Sequence, residues 1–359
     1  MLWELKYGGA TLSPAAGSTL HKAYVKLRNA ELAPNTGDGY RRRLDQARVY
    51  ARSTGIPEST LFPPGGTQGM PLPALRALLV WGAQRWRADT LDGLTAAISD
   101  WHRDKPHATN PLHTPEGALA VRGAKSLAKG NGRPPRGQAA ALDTTMLAGL
   151  LAWLRHSAET RDPARAALYE RDACWAVLGF FGLLRRAELG DLRVGDITTG
   201  AEGIEIHLRW TKTTGHDGAT VWVANRTASG IDVAGTAHRW LHRRGGASND
   251  PLFTAWAHPR TTGNWGGTGY MTSRPLDAKG AALVEAFQRH LAGSYRAGFT
   301  ATPPQGYSGH SLRRGGATAM RAAGCRPEEI MAHGRWTSDA YKRYLQRTDG
   351  ERISVTAQL

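Results

Sequence analysis

From Lys129 to Gln138 the chain runs Lys-Gly-Asn-Gly-Arg-Pro-Pro-Arg-Gly-Gln, which is three glycines, two prolines and three cations in ten positions. Relative to alanine, glycine costs about 1 kcal/mol in a helix interior and proline about 3. No helix can cross this stretch and no core can pack on it, so it predicts an exposed basic linker. It splits the 359 residues into two parts, each within or near the roughly 100–200 residues of an ordinary domain.

The two parts differ in pattern. Residues 1–16 carry Gly and Pro with little periodicity and read as an arm, while 17–129 read as a helical domain. Tyr24, Leu27 and Leu32 mark a helix over His21–Leu32, and Thr36 is placed to cap a second through Tyr50. The opposite face of that helix holds Arg41, Arg42 and Arg43. Helices follow at Leu72–Arg87, Thr90–His102 and Val121–Ala128, with Leu91, Leu94, Ala97, Ile98 and Trp101 at helical spacing.

Beyond the linker at 130–138, a second domain over 139–349 is mixed, followed by a tail at 350–359. Helices are expected at Asp143–Arg155, Ala164–Gly182, Arg185–Leu192, Asp232–Arg244, Ala281–Leu291, Ser311–Ala323, Arg326–Met331 and Ser338–Arg347. Alternation at Ile204, Ile206 and Leu208, a polar turn over Thr211–Gly218, and Val221 with Val223 read as a hairpin. Pro259–Arg274 has no clear period. The fold class is mostly α with a small β-sheet (α+β).

Charge narrows the partners. Lys plus Arg number 46 against 30 Asp plus Glu, a formal net charge of +16. Self-repulsion of that size is relieved by a polyanion, and nucleic acid leads. No apolar run reaches the roughly 20 residues that span a bilayer, Met1–Lys6 lacks the order of a secretory signal, and no long basic amphipathic helix suggests a membrane surface. With Cys174 and Cys325 alone, a disulfide framework and a four-cysteine zinc site are untenable. An intracellular protein is expected.

Chemistry-bearing residues concentrate in the second domain. Arg185 and Glu188 stand at i and i+3 in Leu184–Leu192, a spacing that on an isolated helix means only an ion pair. Lys212 sits at the hairpin tip. His310 and Arg313 open a helix that then carries Gly315 and Gly316, which suggest close backbone approach. Trp336, Tyr341 and Tyr344 follow Gly334-Arg335. Taken together these are phosphate-handling types: arginines, a lysine, a histidine, an indole donor and a tyrosine.

In this order the set resembles the tyrosine site-specific recombinases, the phage-integrase and Cre-like family, over roughly residues 17 to 350. Leu184–Val194 looks like the family's first box, and Ser308–Gly315 like its second. Trp336 and Tyr344 stand one position closer than the family commonly spaces them, and Tyr341 competes for the tyrosine position; Tyr344 with Leu345, Gln346 and Arg347 after it fits better. The resemblance implies a helical, SAM-like core-binding domain and a mixed α/β catalytic domain forming a C-shaped clamp on double-stranded DNA. It implies catalytic roles for Arg185, Glu188, Lys212, His310, Arg313, Trp336 and Tyr344. Two arginine forks, His310 and the Trp336 N–H would stabilise the phosphorane, Glu188 would position its neighbours, Lys212 would protonate the leaving 5′ oxygen, and Tyr344 would be the nucleophile.

The implied product is a 3′-phosphotyrosine and a free 5′ hydroxyl. The linkage retains the phosphodiester energy, so no cofactor, ATP or metal is called for. A homotetramer on two DNA sites, exchanging strands through a Holliday junction, is implied as well. The tail, with Ile353 and Val355, is expected to dock on a neighbour. Candidate DNA contacts are Arg41, Arg42, Arg43, Lys129, Arg133, Arg136, Arg186 and Arg314. His333 is a weaker candidate for the phosphate site, and His238 with His242 reads as a surface pair lacking a third metal ligand. A type IB topoisomerase-like nicking and resealing enzyme uses similar residues, and a catalytically silent DNA-binding protein is the rival from another class.

Overall fold

The chain divides between Gly137 and Gln138 into two units, seen here in a computed structural model that describes residues 34–64, 67–103, 105, 108–133, 138–160, 163–211, 214, 217–257, 270–275 and 281–345. The expected arm, the His21–Leu32 helix, Arg136, Lys212, the tail and most of Pro259–Arg274 lie outside the described residues.

The first unit contains helices α1 (Pro34–Thr54), α2 (Glu58–Leu61), α3 (Leu72–Ala83), α4 (Ala88–Arg103) and α5 (Pro115–Gly130). Leu75, Leu78 and Leu79 from α3 meet Leu91, Leu94 and Ile98 from α4 in a core closed by Tyr50, Ala124 and Ala128. Each of these leucines contributes roughly 1.5–3 kcal/mol by leaving water. Three boundaries differ from the sequence reading. Helix α1 begins at Pro34, so Thr36 lies in its first turn instead of capping it; proline is tolerated there because its missing N–H has no intrahelical partner to lose. Helix α3 stops at Ala83, where the Trp86 ring folds back on Gly82, whose absent Cβ would sit 2.7 Å from it. Helix α5 starts six residues early because the Thr114 side chain caps Gly117 N–H at 3.1 Å ahead of Pro115.

The second unit is organised around α7 (Pro163–Phe181). Every residue from Arg171 to Phe180 is buried, as befits a helix packed on several sides. Around it lie α6 (Thr144–Thr160), α9 (Val233–Arg244) and α11 (Ser311–Ala322), with α8 (Arg186–Asp191) directly after it, then α10 (Ala281–Arg296) and α12 (Pro327–Gly334). Its buried Asp172 is matched by Arg171 at 2.6 Å and His290 at 2.7 Å; burial opposes its charge, and the Arg171 guanidinium with the His290 hydrogen bond outweighs burial and holds the carboxyl low. Strands β1 (Ile197–Thr199), β2 (Gly203–Leu208) and β3 (Ala219–Ala224) form an antiparallel sheet in that order. Ile204 faces Val223 and Ile206 faces Val221, all directed into the core, while Trp222 points outward. A second antiparallel pair joins β4 (Thr254–Ala257) to β5 (Tyr270–Pro275), so the C-terminal end of the stretch without a period is a strand. The helix expected over Ser338–Arg347 is instead a 3₁₀ turn at Asp339–Arg343.

Candidate active site

Four chain ends of the second unit meet: the C-terminus of α7, the N-terminus of α8, the N-terminus of α11 and the C-terminus of α12. Glycine makes the approach possible. A Cβ on Gly316 would lie 2.0 Å from the Phe180 carbonyl oxygen, and one on Gly315 would lie 2.0 Å from that of Leu142. The two glycines thus let α11 press against backbone, the close approach expected of them.

Arg185 stands at the cap position of α8, and Glu188 closes the first turn. The Glu188 carboxylate accepts from Arg185 N–H at 2.7 Å and from its Nη1 at 2.5 Å. The carboxylate is therefore buried in a capping device rather than solvated, with the Glu188 side chain 2% exposed while that of Arg185 keeps 22%. Burial by itself would raise the Glu188 carboxyl; Arg335, then Arg185, outweigh it and hold the group below its ordinary range.

Arg313, on the first turn of α11, is 1% exposed. Its Nη1 donates to the Leu183 carbonyl and its Nη2 to that of Gly334 at 2.5 Å, while Nε has no partner among the described residues. The guanidinium carbon lies 4.2 Å from the Trp336 ring centroid and 5.4 Å from that of Tyr344. Burial, then the charge of Arg185, lowers the Arg313 guanidinium from its usual value, and an arginine so lowered still carries its proton at neutral pH. His310, immediately before α11, is solvent-exposed. Desolvation on its inner side, then Arg186 and Arg313, lower its imidazole, which keeps it neutral above the ordinary histidine range near 6.5.

Trp336 is nearly buried against Leu183, Ala317 and Ile330. Tyr341 belongs to the same buried cluster, 6.4 Å from the Trp336 ring, whereas Tyr344 is half-buried and 5.0 Å from it. A 3₁₀ turn eclipses residues three apart, and Tyr344 N–H bonds the Tyr341 carbonyl at 2.8 Å; that turn brings both rings to one indole. The Tyr344 carbonyl accepts from Arg314 Nε at 3.3 Å. Arg314 Nη1 also donates to the Ala139 carbonyl, so this candidate DNA contact spends donors on the protein. Arg186 is half-buried at the start of α8.

Lys212 lies outside the described residues, but its loop has a defined base: Thr211 Oγ1 meets Thr214 Oγ1 at 2.6 Å, and Thr214 Oγ1 donates to Gly218 O at 2.7 Å. His333 Nε2 is 2.6 Å from the Phe181 carbonyl, engaged with backbone. His238 and His242 are exposed on α9, with ring centroids 6.4 Å apart, and no group of three metal-ligating side chains occurs among the described residues. In the first unit Arg41 and Arg42 are exposed and Arg43 is half-buried. Arg41 pairs with Asp38 at 3.4 Å, and Arg43 donates to Gln46 at 2.9 Å. Lys129 and Arg133 are exposed, the latter donating to the Arg85 carbonyl at 3.1 Å.

Sequence reasoning passed over Arg335. Its backbone is left-handed at φ 55°, and its guanidinium donates to Glu188 Oε2 at 3.0 Å, Leu183 O at 3.0 Å and His333 O at 2.9 Å. Gly334 before it is required by a close approach, since a Cβ there would lie 1.8 Å from the Trp336 ring. Nothing in a cation at a helix C-terminus, a common and solvated arrangement, marks this one as buried.

No protein-family model and no curated protein matches the chain. Solved structures do match, at low identity. The lambda integrase dimer bound to a COC' core site is 14% identical, with a TM-score of 0.54 over 96% of this chain and 83% of that one. The Tn1549 transposon integrase in complex with transposon right end DNA is 15% identical, with a TM-score of 0.54 over 95% of this chain and 98% of that one. The XerH site-specific recombinase in a post-cleavage complex is 14% identical, with a TM-score of 0.52 over 79% of this chain and 71% of that one. The chain has the tyrosine-recombinase fold, mostly helical with a small antiparallel sheet.

Proposed function

We propose that the protein is a site-specific DNA recombinase that breaks and rejoins strands through Tyr344. The observation that supports this most is the gathering of Arg185, Glu188, Trp336 and Tyr344 around the Arg313 guanidinium, from stretches of chain far apart in sequence. In the reaction Tyr344 Oη bonds to phosphorus as the bond to the 5′ oxygen breaks. The phenolic proton passes to solvent water, and Lys212 supplies one to the leaving oxygen, freeing a 5′ hydroxyl. A 5′ hydroxyl from a second duplex reverses the step and exchanges strands. One phosphodiester replaces another throughout, so the bond energy is conserved and no ATP is spent.

Burial gives the participants different parts. Arg185, Arg186 and His310 are the donors already open to a phosphate. Arg313 lies over the Trp336 and Tyr344 rings with Nη1 and Nη2 on the Leu183 and Gly334 carbonyls, and its Nε, which has no partner among the described residues, is the donor it keeps for a phosphate. Four protomers on two sites, passing through a Holliday junction inside the cell, complete the reading, with both units wrapping duplex DNA.

The test is recovery of covalent adducts. The full chain, Tyr344→Phe and Tyr341→Phe are incubated with genomic DNA of the source organism, denatured, and the protein-bound ends sequenced. An adduct with a free 5′ hydroxyl, lost in Tyr344→Phe and kept in Tyr341→Phe, is expected. Loss only in Tyr341→Phe reassigns the nucleophile, and no adduct in any version overturns the proposal. Adducts accompanied by plasmid relaxation and no recombinant product would instead favour nicking and resealing.

A further inference from the structure

We infer that Arg335 is a positioning residue that assembles the two halves of the reactive site, a role that rests on the recombinase reading above. One half, the Gly182–Glu188 segment, carries Arg185. The other, the segment after α12, carries Trp336 and Tyr344. Arg335 spans them, with Nη2 on both Glu188 Oε2 and the Leu183 carbonyl at 3.0 Å each. Its Nη1 is held by His333 O at 2.9 Å, with Gly182 O at 3.4 Å.

Two observations mark this as more than a surface pairing. The Arg335 side chain is 8% exposed and its carboxylate partner 2%, so the contact is desolvated and geometrically fixed. Among the described residues, both non-glycine positions with left-handed backbone, Leu183 at φ 46° and Arg335 at φ 55°, lie on this one contact. Each such residue is strained and persists only where its surroundings hold it. The strain at Leu183 aims its carbonyl at the Nη atoms of both Arg313 and Arg335. The strain at Arg335 turns the chain so that Trp336 falls under Arg313. Lysine cannot reproduce this, since its single ammonium nitrogen cannot hold the Glu188 and Leu183 oxygens together with the His333 and Gly182 carbonyls as the two Nη groups of a planar fork do.

The groups facing Glu188 are Arg185 from its own helix cap, Arg335 at 3.0 Å and Arg313 at 4.0 Å. The charge of Arg335 is the largest single influence holding the carboxyl low, beside the charge and two hydrogen bonds of Arg185. Removing it raises the pH at which Glu188 takes up a proton and releases Arg185, a signature that generic destabilisation does not produce.

The experiment uses the full chain, Arg335→Gln and Arg335→Lys, with a duplex carrying the site recovered from the adduct ends. Single-turnover adduct formation is followed across pH, and binding is measured separately. Arg335→Gln is expected to bind this duplex within about twofold of the parent. It should cleave on the order of a hundredfold more slowly, with the acid limb of its rate profile moved to higher pH. Arg335→Lys, which keeps a cation beside Glu188, should cleave slowly with the acid limb unmoved. Cleavage by Arg335→Gln within about threefold of the parent, or an unmoved acid limb, overturns the proposal. If Arg335→Gln does not fold, Arg335→Lys carries the test, and parental cleavage in it overturns the proposal. Failure of the parent itself to form an adduct overturns the recombinase reading, and this role with it, and is distinguished by needing no Arg335 variant.

Discussion

At the residue scale, Glu188 carries the most concentrated consequence. Its carboxylate is buried against three arginines, and removing one side of such a cluster leaves charge uncompensated, typically at a cost of about 3–5 kcal/mol. Glu188→Gln is therefore expected to unfold at lower urea, with a deficit of that size at pH 7. The deficit depends on pH with a definite sign. Because the folded carboxyl is held below its ordinary range, its stabilisation is complete above the unfolded value near 4.3 and disappears as pH falls through the folded value. Urea titrations from pH 7 downward should therefore bring parent and variant together at the acid end, and a constant gap would refute the assignment. Residue types and order single out Arg185, Glu188, His310, Arg313, Trp336 and Tyr344 in the sequence, and the fold gathers Arg185, Glu188, Trp336 and Tyr344 around Arg313. Their burial was not legible. Arg185 with Glu188 reads on paper as a pair of solvated charges, and only the fold supplies Arg335, 147 positions from Glu188, to complete it.

At the element scale, glycine distinguishes helices that pack from helices that merely run. In α11, Gly316 faces the Phe180 carbonyl at a distance no Cβ tolerates. Gly316→Ala should cost about 1–3 kcal/mol by overpacking and lift Arg313 away from Leu183, so cleavage should fall more steeply than stability. In α5, Gly123 has nothing within 4 Å of its Cβ position. There Gly123→Ala should add about 0.5–1 kcal/mol, since alanine restricts the unfolded chain and favours helix. Thermal melts of the two variants should move in opposite directions; movement in the same direction would contradict the packing described. Periodicity located most elements well, since Leu91, Leu94 and Ile98 or Ile204 and Ile206 repeat at the spacing of the buried face. It failed where the backbone answers to a neighbour. Strand β1 has three residues, too few to alternate. The last turn is 3₁₀ because Tyr341 and Tyr344 share the Trp336 ring, a tertiary demand that no local propensity records.

At the scale of the whole molecule, the break between Gly137 and Gln138 falls inside the basic stretch that glycine and proline made visible. Helix α5 runs into the first two residues of that stretch, Lys129 and Gly130, and ends where glycine and proline crowd, a helix boundary visible without tertiary information. How the cations are spent did need it. Of the 46 Lys and Arg residues, several that look available to a polyanion are committed within the protein: Arg171 to Asp172 and the Thr254 carbonyl, Arg314 to the Ala139 and Tyr344 carbonyls, Arg335 to Glu188. The charge excess survives these pairings, because acidic partners are fewer than cations at 30 and carbonyls neutralise nothing. Affinity for duplex DNA should then be governed by counterion release, with the logarithm of the binding constant falling by about 0.9 per phosphate neutralised for each decade of salt. If both units grip the backbone with roughly six to ten phosphate contacts, affinity drops about 10³- to 10⁵-fold between 50 and 200 mM salt. Tyr344→Phe is the form to measure, since it removes covalent capture and leaves binding reversible. Its slope on the recovered site and on unrelated duplex should be similar, because phosphate contacts carry no sequence information. The offset between the two lines then reports base readout alone. A slope worth only one or two phosphates would mean that the excess charge is not directed at DNA, and that the two units do not both hold the duplex.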